Sequence, residues 1–238
     1  FFGAMAMLGP AISSIAEAIP QYHRLKPIMD AKPEVLDTSE LKSHVLRGGV
    51  GIRNAVFRYG DGLPAILNGV TIDVRSGEYV AIVGRTGCGK STLLSMLLGL
   101  EQPESGSVLY DDTPLENMDP SIVRSQVGVV MQSNSLLPGS IKSTILGVGS
   151  DRTVDDAWDA SRLVGMEDEI SELPMGMLTF VGSTTISSSQ SQRLLIARAL
   201  VGRPNILFLD EATSALDNHS QSDIASSIDR LGCTRVVI

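Results

Sequence analysis

Cysteine is scarce in this chain, which has only Cys88 and Cys233 among its 238 residues. Cys88 lies inside a glycine-rich loop, where a disulfide would obstruct any ligand that the loop holds. We therefore expect a reducing, cytosolic setting and no disulfide framework. With three histidines and two cysteines, the sequence also shows no clustered Cys/His metal motif.

Positive charge is scarce as well, because the formal net charge is −8. A chain without a basic stripe cannot neutralise many phosphates, so we expect no nucleic-acid partner. Hydrophobic residues nevertheless make up 43% of the chain. That content suits one globular domain with an appendage.

No apolar run is long enough to cross a bilayer, which takes ~20 residues. The uncharged segment Phe1–Ala16 is shorter and lacks a basic leader, so it is a poor signal peptide. It is followed by a basic cluster, His23, Arg24, Lys26 and Lys32, of the kind found just cytoplasmic of a membrane helix. Two interpretations of residues 1–29 stay open: the cytosolic end of a transmembrane helix, or an amphipathic helix packed on the domain.

The polar residues 30–48, which contain Pro33, read as a linker. The chain begins at Phe1 without a methionine and stops in Arg235–Ile238, which resembles an unfinished strand. We expect a fragment whose main domain, 49–238, is truncated at its carboxyl end.

The most informative motif is Gly84–Ser91, which reads Gly-Arg-Thr-Gly-Cys-Gly-Lys-Ser. It follows the apolar run Glu78–Val83, predicted to be a buried parallel strand, and precedes a predicted helix over Ser91–Leu98. Strand, glycine loop and helix together indicate a phosphate-binding loop, in which backbone N–H groups and a helix N-terminus surround a phosphate chain. Lys90 should reach the β- and γ-phosphates, and Ser91 should ligate Mg²⁺. A plain glycine turn between the strand and the helix is the alternative.

Other segments alternate between strand and helix patterns. The predicted strands are Val50–Tyr59, Val70–Val74, Ser105–Asp112, Val127–Met131 and Ile206–Leu209. Residues 133–186 change character and read as a mostly helical insertion, with a helix at 153–164 that Thr153 caps. A further helix is predicted over Ser191–Val201.

Two acids end the last of these strands. Asp210 and Glu211 fit the Walker-B role, in which Asp210 joins the Mg²⁺ shell and Glu211 orients or deprotonates the attacking water. An acidic helix cap after a strand is the alternative. The presence of the phosphate loop favours the catalytic interpretation.

The order and spacing of these motifs resemble the nucleotide-binding domain of an ABC transporter over residues 48–238. The matching segments are Tyr59, Gly84–Ser91, Gln132, Ser187–Arg193, Ile206–Glu211 and Ser214–Asp217. The resemblance implies an α/β fold: a RecA-like P-loop NTPase core, an antiparallel β subdomain and a helical insertion at about 133–190. Residues 1–29 resemble the end of the last membrane helix of an exporter-type half-transporter. The sequences of two segments, Pro174–Met177 and Leu194–Leu200, are similar to those of bacterial peptide or bacteriocin exporters.

The resemblance also assigns site roles, with ATP and Mg²⁺ as ligands. Tyr59 would stack on adenine, although a strand-end aromatic is the plain alternative. Gln132 would touch both Mg²⁺ and the attacking water, and a strand-end amide is its plain alternative. The implied catalytic residues are Glu211, Lys90 and Gln132, and the implied metal ligands are Ser91, Gln132 and Asp210. The implied nucleotide contacts are Gly84, Arg85, Thr86, Gly87, Cys88, Gly89, Lys90, Ser91 and Thr92, with Ser187, Ser189, Gln190 and Asp217 acting on the partner's nucleotide.

In such families two domains pair head to tail, and a membrane domain docks near the segment 133–145. This chain departs from the family pattern Leu-Ser-Gly-Gly-Gln, since Ser188 and Ser189 replace both glycines. Ser183 replaces an acidic residue, and His219 comes too early to be the switch histidine, whose position would fall beyond Ile238. Lys90, Asp210 and Glu211 match the family pattern, whereas the signature segment Ser187–Gln190 does not. Because these two parts serve different ATP sites in a head-to-tail pair, the mismatch favours an asymmetric heterodimer over a homodimer.

We therefore expect an ATPase motor for export, at the cytoplasmic face of a membrane and joined to a transmembrane domain of the same chain. Two other functions stay open: a catalytically weak, regulatory subunit of a heterodimeric transporter, and a soluble ABC ATPase that does not transport.

Overall fold

The computed structural model describes residues 2–31, 45–132, 136–147, 149–182 and 186–238. Two compact units emerge, Phe1–Glu40 and Leu41–Ile238. The first unit contains helix α1, Phe2–Met29. In the part of the chain described, no helix is both long and apolar enough to span a membrane.

The second unit contains an antiparallel sheet with the strand order β2-β1-β4-β5. Its strands are β1 (Val50–Phe57), β2 (Leu67–Val74), β4 (Ser105–Tyr110) and β5 (Thr113–Pro114). Alternating side chains of β1, such as Val50 and Ile52, are buried, as expected for a sheet with one face on a core. The antiparallel β subdomain predicted from the sequence is thus confirmed.

A parallel sheet with the order β3-β10-β9-β6 forms the centre of this unit. Its strands are β3 (Tyr79–Ala81), β6 (Val127–Val130), β9 (Ile206–Leu209) and β10 (Thr234–Val237). All three neighbouring pairs run parallel, and every residue of the central strand β9 is buried. This is the sheet expected of a P-loop α/β core.

The strand before the phosphate loop differs from its prediction. We expected a buried strand over Glu78–Val83, but β3 spans Tyr79–Ala81, and Val83 is 89% exposed. The reason is position: β3 is at the edge of the described sheet and pairs with β10 alone. The length and apolar content of the segment Glu78–Val83 were therefore not enough to predict how exposed its side chains are.

Seven helices of the second unit follow or connect these strands in the described residues. They are α2 (Lys90–Leu97), α3 (Pro120–Ser125), α4 (Ile141–Leu146), α5 (Val154–Leu163), α6 (Glu167–Ser171), α7 (Ser188–Leu200) and α8 (Asn218–Leu231). Two 3-10 turns lie at Leu115–Asn117 and Gly176–Leu178. A small two-stranded antiparallel sheet pairs β7 (Gly139–Ser140) with β8 (Phe180–Val181).

Capping explains where two of these helices begin. The Thr153 side chain accepts from the Asp156 N–H in a complete capping box, so α5 begins as predicted. Helix α7 begins at Ser188, three residues before the predicted start at Ser191, because Ser187 and Gln190 form a second capping box. A run of serines that reads as loop is therefore the first turn of a helix.

Two apolar cores hold the unit together. One lies between the antiparallel sheet, α2 and the parallel sheet, and includes Ile52, Leu94 and Phe208. The other lies among α4, α5, α7 and α8 and includes Ile145 and Leu194. Because both cores contact the parallel sheet, they fix the loops at its carboxyl edge from two sides.

Candidate nucleotide site

The phosphate loop joins β3 to α2 with the backbone geometry that its glycines permit. Gly87 and Gly89 have φ angles of +80° and +97°, in the left-handed region that favours glycine. Gly89 is also the N-cap of α2 and has no side-chain cap. The N–H groups at this helix N-terminus are therefore left for a ligand, and the helix dipole favours an anion.

Lys90 lies folded over this loop. Its Nζ donates to the carbonyl oxygens of Gly84, at 3.0 Å, and of Arg85, at 3.3 Å. The ammonium is thus already held at the centre of the loop. The exposed residues Arg85, Thr86 and Cys88 form the outer side of the loop.

Asp210 lies at the end of β9 and is only 5% exposed. Its backbone N–H donates to the Val130 carbonyl at 2.8 Å, which fixes the start of the loop after the strand. Burial, and then the charge of Glu211, raise the pKa of Asp210 above its ordinary value; the charge of Lys90 and a hydrogen bond from Ser91 oppose this rise. The structure thus joins the phosphate loop to the acid at the end of β9.

Glu211 has a left-handed backbone, with φ at +49°. That conformation is uncommon for a residue with a Cβ and costs about 1–3 kcal/mol, so it is typical of functional sites. Its side chain is held by Gln132, whose Nε2 donates to Glu211 Oε2 at 2.7 Å. Gln132 follows β6 and Glu211 follows β9, so neighbouring strands bring the pair together.

Tyr59 lies beside the same helix. Its hydroxyl is 3.2 Å from Thr92 Oγ1, and its ring meets that of Phe57 edge to face at 5.0 Å. Tyr59 is nevertheless 59% exposed. An aromatic face is therefore available next to the N-terminus of α2.

The residues predicted to act on a partner's nucleotide lie elsewhere. Helix α7 packs against β6, at the opposite edge of the sheet from β3. Three strand spacings of ~4.8 Å separate these edges by roughly 14 Å. Within the described ranges, Ser187 and Gln190 hydrogen-bond each other, and Gln190 also binds Glu169; none of these bonds reaches the phosphate loop.

The start of α7 is fixed to the helix before it. Gln190 Nε2 donates to Glu169 at 3.0 Å, and Arg193 donates to the same carboxylate at 2.6 Å. Burial alone would raise the pKa of Glu169, but these two donors lower it below its ordinary value. Sequence reasoning missed Glu169, since an acid in an acidic helix carries no local signal.

The segment Thr213–Asp217 is shaped by glutamines that the sequence did not single out. Gln221 Nε2 donates to the carbonyls of Thr213 and Leu216, at 2.8 and 3.0 Å. Gln192 contacts Ser214 and Ala215. Gln192 lies 22 and 23 residues from Ser214 and Ala215, so no local spacing pattern predicts its contacts.

Asp217 itself caps α8. Its carboxylate accepts from the N–H groups of His219 and Ser220 and from the Ser220 hydroxyl. The hydroxyl and the N–H of Ser220 lower the pKa of Asp217. The Nδ1 atom of His219 lies 2.8 Å from an oxygen of Asp223 on the same helix.

A cavity of about 570 Å³ lies away from the phosphate loop. Leu163, Leu200 and Leu231, the last residues of α5, α7 and α8, line it beside Arg162 and Arg230. Helix carboxyl ends carry partial negative charge, so these arginines complement the dipoles. The arrangement explains the basic lining without a ligand.

Some expectations fall outside the described residues. They concern Ser183, the linker residues 32–44 and the start of the 133–145 segment. Among the residues described, no group of three or more His, Cys, Asp or Glu side chains could hold a metal.

Comparisons with known proteins agree with this geometry. The family model described as "ABC transporter" matches residues 67–214. The chain is 40% identical over 217 residues to a leukotoxin export ATP-binding protein of Aggregatibacter actinomycetemcomitans, covering 90% of this chain and 31% of the relative. A leukotoxin translocation ATP-binding protein of Mannheimia haemolytica is 43% identical over 195 residues, covering 81% of this chain and 28% of the relative.

A solved structure, of a bacterial Atm1-family ABC exporter with ATP bound, superposes with a TM-score of 0.85 and 31% identity. It covers 100% of this chain and 42% of the solved chain. The chain thus spans about a third of the length of the two curated relatives. With its P-loop fold and the family match, the chain is a nucleotide-binding domain that belongs to the ABC transporter family.

Proposed function

We propose that this domain binds and hydrolyses MgATP and so powers export across a membrane. One observation carries the proposal: Lys90, Ser91, Asp210, Gln132 and Glu211 meet at the carboxyl edge of one parallel sheet. Ligands of open α/β sheets bind at that edge. The relatives named for leukotoxin export support the transport role.

The donor set fits Mg²⁺. Ser91 and Asp210 supply a hydroxyl and a carboxylate, the hard oxygen ligands that Mg²⁺ prefers, and their hydrogen bond holds them in reach of each other. Mg²⁺ takes one or two protein ligands and completes its shell with phosphate oxygens and water. When bound, the ion would neutralise charge on the phosphates.

This chain's own side chains have separate tasks. Lys90 exchanges its bonds to the Gly84 and Arg85 carbonyls for bonds to phosphate oxygens. Glu211 accepts the proton of the attacking water, and Gln132 holds the carboxylate in position. The exposed ring of Tyr59 stacks on the adenine.

Completion of the site requires a second domain. Because Ser187 and Gln190 bind each other, and Gln190 binds Glu169 rather than this chain's phosphate loop, the two residues would act on a nucleotide held by a partner in a head-to-tail pair. Ser188 and Ser189 stand where the signature motif of the family has two glycines, so the signature of this chain differs from the family pattern. We propose a heterodimer in which the partner's regular signature completes the site at Lys90.

An exposed apolar cluster supports docking of a membrane domain. Leu137, Met175, Leu178 and Phe180 are 60–65% exposed, and the antiparallel pairing of β7 with β8 brings their segments together. Exposed apolar groups of this kind mark interaction sites. We assign this surface to a transmembrane domain of the same chain, which places the motor at the cytoplasmic face.

The test is calorimetric titration of the detergent-purified transporter with MgATP, followed by ATPase assay. Heat of binding together with turnover supports the motor. Binding without turnover, even with the co-purified partner, favours the regulatory subunit, the second candidate that the serine-substituted signature supports. Absence of binding would overturn both.

A further inference from the structure

Gln192 joins the helix that bears the signature to the loop that follows Glu211. Its Nε2 donates to Ser214 Oγ at 3.1 Å, and its Oε1 accepts from the Ala215 N–H at 2.9 Å. One amide thus satisfies a side chain and a backbone group. The backbone bond fixes which way the amide faces.

The loop is anchored at its ends and exposed at its tip. Ala212 and Leu216 are each 6% exposed, and Gln221 binds the carbonyl of Leu216. Ser214 and Ala215, by contrast, face solvent. Among the described residues, Gln192 supplies the side-chain hydrogen bonds that reach this tip.

The two joined elements serve different nucleotides. Helix α7 begins with the capping box of Ser187 and Gln190, which would face a partner's ATP. The Ser214 N–H donates to the carbonyl of Glu211 at 3.2 Å, and Glu211 belongs to this chain's own site. A rigid link between them would make a shift of α7 move the loop beside Glu211.

We propose that Gln192 is a positioning residue that holds the Ser214–Ala215 tip in register with α7 and so couples the two ATP sites of the dimer. The proposal rests on the ATPase function proposed above. It assigns Gln192 no contact with nucleotide. Its effect is exerted through the loop and should therefore appear in turnover rather than in ATP affinity.

Two substitutions separate this role from simple packing. Gln192→Leu has similar bulk and removes both hydrogen bonds. Gln192→Glu keeps the acceptor for the Ala215 N–H and lets the Ser214 hydroxyl donate to a carboxylate, so it should rescue the link. Arg198→Gln, at an exposed position of the same helix, is the matched control.

The first measurement is hydrogen exchange of the Ala215 amide in the purified transporter without nucleotide. Loss of one hydrogen bond should raise its exchange rate by about 2- to 10-fold in Gln192→Leu. The rate should be near parental in Gln192→Glu and in Arg198→Gln. An unchanged rate in Gln192→Leu, or an equal rise in Gln192→Glu, overturns the proposal.

The second measurement is steady-state ATP hydrolysis by the same preparations. We expect kcat of Gln192→Leu to fall by about tenfold or more, since small misplacements at a distance are costly, while KM stays within about twofold. If Gln192→Leu keeps the parental kcat although its Ala215 amide exchanges faster, the proposed coupling between the ATP sites is refuted. If the parent itself shows no turnover, the proposed function fails, whereas the exchange rates still decide whether Gln192 holds the loop.

Discussion

Gln132 and Glu211, which follow two neighbouring parallel strands, are joined by a hydrogen bond of 2.7 Å from Nε2 to Oε2. The bond points the carboxylate of a residue whose φ angle is +49°. Because strained backbones persist only where surrounding contacts determine them, the pair forms a preset arrangement at the carboxyl edge of the sheet. Its chemistry leads to the first prediction.

Glu211→Gln should preserve ATP binding and lower turnover by about 10²- to 10⁴-fold, the usual contribution of a general base. An amide keeps the shape and can still accept from Gln132, but it cannot take a proton from water. Calorimetry and phosphate release measure the two effects. Glu116→Gln, at an exposed position, is the control. If Glu211→Gln hydrolyses ATP at the parental rate, Glu211 is not the general base.

Lys90→Ala should weaken binding itself. Loss of one charge-assisted hydrogen bond costs about 1.5–3 kcal/mol, seen as a matching rise in Kd for MgATP. Arg75→Ala removes an exposed cation and serves as the control. Equal affinities of Lys90→Ala and the parent would contradict the assignment of Lys90 to the phosphates.

Asp210→Asn should stabilise the nucleotide-free protein while abolishing measurable turnover. Because burial raises the pKa of Asp210, the fold favours its protonated form, and the charge lowers stability at neutral pH. The gain in Tm should be present at pH 7 and shrink on acidification, as the parent binds the same proton. A lower Tm for Asp210→Asn at pH 7 would show that the carboxylate stabilises the fold.

Restoring glycine with the double change Ser188→Gly and Ser189→Gly should have opposite effects on stability and activity. Glycine has a lower helix propensity than serine, by about 0.5 kcal/mol for each residue in a helix, so Tm should fall slightly. If the serines make one site of a heterodimer degenerate, turnover of the complex should rise. Unchanged turnover would show that serine serves the phosphate as well as glycine does.

Co-purification of the native complex checks the pairing. An asymmetric pair should yield two different nucleotide-binding subunits in equal amounts. Recovery of one subunit type with full activity would favour the homodimer and contradict the heterodimer proposal.

The phosphate loop could be predicted from the sequence because its strand, turn and helix are consecutive in the chain. The assignment of both Ser91 and Asp210 to one Mg²⁺ site followed from their motifs, whereas the hydrogen bond between them did not. By contrast, the exposure of β3 depends on strand order, which is set by partners far away in sequence. The start of α7 was missed because three serines resemble a loop until Gln190 is seen to complete a capping box.

The glutamine contacts around Thr213–Asp217 were also beyond sequence reasoning. Gln192 lies 22 residues from Ser214, and an amide has many possible partners at that distance. Only the packing of α7 beside the loop that follows β9 selects this one. The domain limits and the roles of the site residues stay predictions until the experiments above are done.

The phosphate loop follows one edge strand, β3, and α7 packs against the other edge strand, β6. This arrangement bears on how the cell would control ATP consumption. In the proposed head-to-tail pair, the phosphate loop of one subunit and α7 of the other would enclose each triphosphate. In the proposed pair, the concentration of the second subunit would set how much ATP is consumed. Dimerisation would then switch on ATP hydrolysis, and unpaired copies made in excess would consume no ATP.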